Sequence, residues 1–307
     1  MINVYTMIGL DSCDDRRRRA AGGDRPVFPE EAVPEGGVTI HMGGALEQMV
    51  DTVRESTFLP NEPSPRLRLL VTGAAGGIGT ALIDRLAACN CLIAAVDIGF
   101  SGWRGAASDG VGMVPLDLSV PEAAVRAVEA AVAQMGGLDA VVHAAAILDN
   151  NRPAEEYLLS DWDREISVNL GAAFRLARAA YPHLKASATG RIILVSSAAA
   201  EIGQPGQVPY STSKAGLLGM MRTLAVEWGP VGITCNAVLP GVTETPKVQR
   251  ISPHVLDAYR ERTPLGRFAT PGEIAAVIAF LLSPAAAYMN GAVLRVDGGL
   301  GLNNTPF

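Results

Sequence analysis

Residues 68–79 read RLLVTGAAGGIG, and this stretch decides the fold. The apolar run Leu69-Leu70-Val71 predicts a buried parallel strand. Thr72-Gly73-Ala74-Ala75-Gly76-Gly77-Ile78-Gly79 then turns the chain. Thr80-Ala81-Leu82-Ile83-Asp84-Arg85-Leu86-Ala87-Ala88 predicts a helix. Glycine is needed in such a turn for two reasons: the backbone takes angles that a side chain forbids, and a pyrophosphate must come close to N–H groups at the helix N-terminus. The glycines stand at 73, 77 and 79, a Gly-x-x-x-Gly-x-Gly spacing. A chain with 33 glycines can form a Gly-rich turn by chance, so the strand–turn–helix context carries the reading.

Downstream, strand and helix alternate, which predicts a doubly wound parallel sheet of about seven strands in one α/β domain, 67–307. Further strands are expected at 91–97, 112–115, 138–145, 191–196, 234–239 and 292–296. Helices are expected at 122–134, 160–185, 207–228 and 271–282, and 242–263 reads as polar and irregular. Upstream, residues 1–66 form an N-terminal extension. Its first 36 residues are rich in Gly, Pro and charge and read as a tail. Val38, Ile40 and Met42 alternate as in a short strand, and Leu46, Met49, Val50 and Val53 mark an amphipathic helix within 38–59. Pro60, Pro63 and Pro65 make a stiff linker.

The composition narrows the function classes. A chain of 307 residues with 49% hydrophobic and 18% charged residues is ample for a packed core. A net charge of −6 argues against a nucleic-acid partner. Cys13, Cys89, Cys91 and Cys235 lack the spacing of a metal site and suit a reducing, cytoplasmic setting better than a disulfide framework. No metal is expected. No apolar run is long enough to span a bilayer, and the first ten residues lack a basic leader. The arginines at 16–19 sit beside Asp11, Asp14 and Asp15 and read as part of a solvated tail.

Three constellations carry chemistry. Asp97 ends the second predicted strand, where a carboxylate can accept hydrogen bonds from the ribose hydroxyls of an adenine dinucleotide. Tyr210 and Lys214 stand four apart in a predicted helix and so share a face. A free tyrosine, with a pKa of about 10, is a poor base near neutrality. A fixed ammonium beside it favours the phenolate, and such a pair can shuttle a proton to an alcohol oxygen. With six tyrosines and three lysines, chance would supply about 0.06 such pairs in a chain this long. Ser196 and Ser197 close the fifth strand, at the carboxyl edge where open α/β sheets bind ligands. Asn169 reads as a buried helical asparagine that satisfies local backbone, and His143 as a satisfied core histidine.

These residues together resemble the short-chain dehydrogenase/reductase family, over about 67–303. The match includes Thr72-Gly73, Gly77-Ile78-Gly79, Asp97, Asp117, Asn169, Ser197, Tyr210 and Lys214, in order and spacing. It continues through Pro240-Gly241-Val242-Thr243-Glu244-Thr245, Pro264-Leu265-Gly266-Arg267 and Val296-Asp297-Gly298-Gly299. The glycine spacing is similar to that of the shorter alcohol and ketone oxidoreductases. The resemblance implies that Tyr210 is the catalytic acid/base and that Lys214 lowers its pKa and holds the nicotinamide ribose. It implies that Ser197 bonds the substrate oxygen and that Asn169 holds a water linking Lys214 to solvent. Gly73, Gly77, Ile78, Gly79, Asp97, Asp117, Leu118, Ala145, Pro240, Gly241, Thr243 and Thr245 would join Tyr210 and Lys214 around the cofactor. The family's Asn-Asn-Ala-Gly is here His143-Ala144-Ala145-Ala146, so altered packing is expected there, and the N-terminal extension is a second departure.

The reading is an oxidoreductase that moves a hydride between NAD, rather than NADP, and a secondary alcohol or its ketone. Asp97 would repel a 2′-phosphate, and Arg104 is the nearest cation that could offset it. An NADPH-dependent 3-ketoacyl-type reductase is the rival within the class, and a non-catalytic dinucleotide-binding regulator the rival outside it. Substrate walls are expected from 149–157 and 242–268, where Arg152, Lys247 and Arg250 could meet an anion. A homo-oligomer, tetramer or dimer, is expected through the helices at 160–185 and 207–228, with Ala172, Ala173, Ala177, Ala179 and Ala180 as a small-residue surface.

Overall fold

The structure, a computed structural model, describes residues 66–103, 105 and 109–302. The strand and helix expected within 38–59, and Arg104, lie outside the described residues.

Strand β1 (Arg68–Thr72) passes through the glycine turn into helix α1 (Gly77–Ala87). Then come β2 (Leu92–Asp97), β3 (Val111–Pro115), α2 (Ala123–Met135) and β4 (Ala140–His143). The middle of the chain supplies α3 (Leu159–Ile166), α4 (Ala172–Ala186), β5 (Arg191–Val195), the short α5 (Ala199–Ile202) and α6 (Val208–Trp228). Strand β6 (Thr234–Pro240), α7 (Pro253–Arg262), α8 (Pro271–Leu282) and β7 (Val293–Val296) complete the order. Helix α8 begins where its sequence says it should: Thr270 and Glu273 form a reciprocal capping box, with proline in the first turn.

The seven described strands form one sheet in the order β3-β2-β1-β4-β5-β6-β7. Every pairing is parallel. Chain order reverses between β1 and β4, so a crevice opens there at the carboxyl edge. Side chains alternate between two cores. Leu70, Val96, Val141, Leu194 and Ala237 pack with α2, α4 and α6 on one face. Leu69, Val71, Ile93, Val142, Val195 and Val238 pack with Leu82 and Ile83 of α1 and Ile274 and Ile278 of α8 on the other. Burial on both faces is why these strands read as unbroken apolar runs.

Three expectations need correction. The helix expected over 160–185 is interrupted by a π-helical turn, Ser167–Gly171, that separates α3 from α4. Such a turn inserts a residue and re-aims the helix beyond it, and Asn169 sits inside it. The strand expected over 138–145 ends at His143, because the backbone of Ala144 and Ala145 leaves the sheet to pack against Gly73. Finally, Ala172, Ala173, Ala177 and Ala180 are no partner surface: they are buried in the chain's own core, and Ala179 is partly buried against it. The outward face of α4 instead carries Phe174, 51% exposed.

Asp139 knots the amino edge of the sheet. Its carboxylate accepts from the Arg68 backbone N–H and Nε (both 2.9 Å), from Arg68 Nη2 at 2.7 Å and from the Ser187 hydroxyl at 2.7 Å. Burial alone would raise its pKa, but the Arg68 and Ser187 hydrogen bonds win and hold it below the ordinary range. A depressed folded-state pKa means stability that is present above the unfolded value, near 3.9, and lost as pH falls through the folded value. Asp139→Asn is therefore expected to cost about 2 kcal/mol at pH 7 in urea unfolding. The gap from the parent should close as the solution is acidified. A variant as stable as the parent at pH 7 would remove Asp139 from this role.

Candidate active site

The glycine turn is shaped by contact, not merely by flexibility. Gly73 has φ +67°, and a Cβ there would lie 2.7 Å from the Ala144 carbonyl carbon. A Cβ on Gly79 would lie 2.1 Å from the Gly73 carbonyl oxygen, so α1 can begin tight against the turn only without one. A Cβ on Gly77 would meet the Thr245 methyl at 2.7 Å, which brings the loop after β6 up to the helix N-terminus. Gly76 caps α1 without a side-chain hydrogen bond, leaving the first N–H groups to a ligand. Beside them Asp97 accepts from the Ala75 N–H at 3.0 Å and from the Ile98 N–H at 2.8 Å, which fixes its carboxylate against the turn. An anion cradle flanked by a held carboxylate fits an adenine dinucleotide.

Strand β5 and helix α6 supply the second half. The Ser196 hydroxyl donates to the Lys214 carbonyl at 2.7 Å, and Lys214 Nζ donates to the Val195 carbonyl at 2.7 Å. Lys214 is 1% exposed. Its ammonium lies 5.8 Å from the centroid of the Tyr210 ring, as one helical turn dictates. Tyr210 is half-buried and lines the same cleft as Ser197. Ser197 Oγ also accepts from the Ala199 N–H at 3.2 Å.

The electrostatics differ from the sequence expectation. Burial is the largest influence on Tyr210 and raises its pKa; the Ser197 hydrogen bond pulls it down, and the charge of Glu165 pushes it up. Burial takes Lys214 itself down to about 7, helped by the like charge of Lys247. Lys214 is thus poised to lose a proton near neutrality. Glu165 gave no sequence signal: it is buried, neither carboxylate oxygen has a hydrogen-bond partner among the described residues, and burial raises its pKa.

A cleft of about 740 Å³ gathers Ile78, Ser197, Tyr210, Lys214, Pro240, Gly241, Thr243 and Thr245. It extends past Leu148, Asp149, Asn150 and Asn151 on one side and past Lys247, Arg250 and Tyr259 on the other. Arg152 is not among its walls. The segment through Ile202, Gln204 and Gln207 also lines it, which the sequence reading missed. The signal was there, because the twelve residues between Ser197 and Tyr210 must arch over the site.

Other expected residues lie behind the cleft. Asn169 is fully buried; its amide oxygen accepts from the Ile147 N–H at 2.8 Å and its NH₂ donates to the Ile147 carbonyl at 2.9 Å and to Ser213 Oγ at 3.3 Å. Its side chain clamps the loop after β4 and touches no reacting group. The Ala145 N–H bonds Thr72 Oγ1 at 3.3 Å. Asp117 is exposed and caps its own turn through the Ser119 N–H at 2.9 Å, while Leu118 is buried in the core. His143 is buried in the core as expected, and its Nδ1 bonds Thr72 Oγ1 at 3.0 Å. Among the described residues no three His, Cys, Asp or Glu side chains converge as a metal site, and no helix is long and apolar enough to cross a membrane.

Known proteins share this framework. Residues 73–301 match the family model described as enoyl-(acyl carrier protein) reductase. The short-chain reductase protein NovJ of Streptomyces niveus is 36% identical over 248 residues, which cover 75% of this chain and 92% of that protein. D-threitol dehydrogenase of Mycolicibacterium smegmatis is 36% identical over 238 residues, covering 75% of this chain and 91% of that one. The crystal structure of 3-ketoacyl-(acyl-carrier-protein) reductase from Brucella melitensis complexed with NADH superposes with a TM-score of 0.72 at 29% identity, over 78% of this chain and 99% of that chain.

The turn geometry sets a testable order. Gly79→Ala drives a methyl into fixed backbone and is expected to cost about 1–3 kcal/mol, the usual scale of overpacking. Gly77→Ala meets the Thr245 side chain, its methyl at 2.7 Å and its Cβ at 3.1 Å, on a loop rather than in the turn's own backbone, and should cost less. Thermal melting of both variants checks this; equal melting temperatures would contradict it.

Proposed function

Because the chain belongs to the short-chain dehydrogenase/reductase family, an oxidoreductase family acting on hydroxyl and ketone groups with a nicotinamide nucleotide, we propose that it moves a hydride between NAD(H) and a secondary alcohol or its ketone. Tyr210 serves as the acid/base. The observation that carries this reading is that Tyr210, Ser197 and the buried Lys214 line one cleft with Ile78 of the glycine turn. The nicotinamide ring, when bound, accepts or delivers the hydride. Gly73, Gly77, Ile78 and Gly79 would receive the pyrophosphate, Asp97 the adenine ribose, and Asp117 and Leu118 the adenine. Ala145, Pro240, Gly241, Thr243 and Thr245 would border the nicotinamide half.

The protein's part is proton handling. Ser197 orients the substrate oxygen and the Tyr210 hydroxyl together. In alcohol oxidation Tyr210 receives the hydroxyl proton as the carbon–hydrogen bond breaks; in ketone reduction it returns one to the oxygen. Burial works against the phenolate, so the charge set around the pair decides the working pH. Lys214 with a pKa near 7 can pass protons onward in the same range. Asn169 holds the loop after β4 at the site and supports that path from behind.

The NADPH-dependent 3-ketoacyl-type reductase is the second reading; the likeness to a 3-ketoacyl-(acyl-carrier-protein) reductase favours its substrate part, though that structure holds NADH. Asp97 speaks against the NADPH part, since its carboxylate would face a 2′-phosphate. The same reading keeps the domain at 67–307 behind an extension at 1–66. It keeps a cytoplasmic homo-oligomer, tetramer or dimer, with outward residues such as Phe174 in the contact.

Tyr210→Phe is expected to keep fold and cofactor binding while kcat falls about 10²-fold or more, the scale of a lost acid/base. Retention of most of the activity would sink the mechanism. In a separate assay, kcat/KM measured with each cofactor on one substrate should favour NAD(H), and Asp97→Ala should erode that preference. A preference for NADP(H), or an unchanged ratio in the variant, would remove Asp97 as the ribose acceptor.

A further inference from the structure

Trp103 lies six residues past Asp97, in the loop that leaves β2. Its partly buried ring meets Phe100 edge to face, with centroids 5.4 Å apart, and both pack against the core that α1 covers. An indole carries one N–H donor and no acceptor. Here that N–H donates to Thr80 Oγ1 at 3.0 Å. Thr80 stands in the first turn of α1, and its hydroxyl donates in turn to the Ala74 carbonyl at 3.1 Å. The direction of this relay is forced. Tryptophan only gives, so the threonine oxygen accepts, and its single proton goes to Ala74. The first bond spans 23 residues of chain, so no local spacing announces it.

Ala74 is fully buried inside the glycine turn. Its N–H donates to the Val96 carbonyl at 3.2 Å, and the next N–H, that of Ala75, donates to the Asp97 carboxylate at 3.0 Å. The turn is thus tied to the end of β2 by its two N–H groups, and to the loop beyond β2 by the relay from Trp103. These ties join the seat of the pyrophosphate to the seat of the adenine ribose. A ligand that bridges two seats binds more tightly when their spacing is set beforehand, because binding then bears no cost of ordering them.

We propose that Trp103 is a positioning residue of the dinucleotide site, its indole N–H locking the pyrophosphate turn to the ribose carboxylate through Thr80 and Ala74. It acts through the turn and takes no part in proton or hydride transfer. Its effect therefore falls on the affinity for the ADP-ribose half of the cofactor and not on the chemical step. The inference rests on reading the glycine turn and Asp97 as the seats of pyrophosphate and ribose.

The test uses the full chain and three single variants. Trp103→Phe keeps an aromatic ring and removes the donor. Thr80→Val keeps the shape of threonine and removes the hydroxyl, whereas Thr80→Ser keeps the hydroxyl. Affinity for NAD⁺ and for ADP-ribose is read by titration calorimetry. Trp103→Phe and Thr80→Val are each expected to weaken both ligands about five- to tenfold, the scale of one hydrogen bond. The double variant should bind no more weakly than Thr80→Val alone, because the two groups form one chain. Thr80→Ser should bind like the parent. In alcohol oxidation, KM for NAD⁺ should rise with the loss of affinity while kcat at saturating NAD⁺ holds. Parent-like affinity in Trp103→Phe, or losses that add in the double variant, would overturn the inference. A parent that binds neither NAD⁺ nor ADP-ribose would instead overturn the reading of the turn itself. Should Trp103→Phe not fold, hydrogen exchange of the Trp103 indole N–H, followed by NMR, decides. Exchange that slows when ADP-ribose binds the parent and quickens in Thr80→Val supports the relay, and a rate that ignores either change refutes it.

Discussion

Helix α6 is tied to the end of β5 by paired hydrogen bonds around one residue: Lys214 Nζ to the Val195 carbonyl and the Ser196 hydroxyl to the Lys214 carbonyl, each 2.7 Å. A buried ammonium is expensive and stays only where it is held. Holding it fixes the rotation of α6, and that rotation aims Tyr210, one turn earlier, at the cleft. The same strand end delivers Ser197 to the Tyr210 side chain. The sheet carries the rest of the constraint. Parallel strands finish at a common edge, so the glycine turn after β1, Asp97 after β2 and the loop after β6 all arrive beside this clamp.

Burial is therefore both the scaffold and the chemistry. It draws Lys214 down toward neutrality and pushes Tyr210 up, so the lysine and not the tyrosine is the group brought into the neutral range. Against that background smaller influences count: Ser197 favours the phenolate, and the charge of the buried Glu165 opposes it. The outer cleft is mixed in character, with Asp149, Asn150 and Gln204 near Lys247 and Arg250, and Ile202 and Val255 between them. Lys247 is itself drawn down by burial, while Asp149 and Glu165 hold it up.

Most of the fold was legible because its central strands are buried on both faces and its helices on one. Residues 192–195, Ile-Ile-Leu-Val, can hardly be anything but a central strand, and α8 declares its start through Thr270, Pro271 and Glu273. The glycine turn, Asp97, Ser197, Tyr210 and Lys214 were legible because each obeys a local rule of spacing. What escaped depended on contacts distant in sequence. No periodicity announces the π turn at Ser167–Gly171, since it accompanies the bonds of Asn169 to Ile147, 22 residues away. The alanines of α4 show that small residues fit a close helix contact without saying whether it lies inside or outside the chain. The lysine–tyrosine pairing was legible in space as one helical turn, while the burial that shifts both groups was not. Desolvation is a property of the packed site and cannot be counted from a sequence.

The central claim is that this cleft couples a hydride transfer to the Tyr210–Lys214 proton site. Label transfer tests it most directly. NADH carrying deuterium at the reacting position of the nicotinamide is incubated with the protein and a panel of small ketones, 3-ketoacyl thioesters and ketoses, and the products are read by NMR. The account requires deuterium at the new carbinol carbon of a product, delivered from one face of the nicotinamide only. A reduced product whose carbinol carbon carries no deuterium, or no reduction of any member of the panel by a protein that binds NADH, would contradict it.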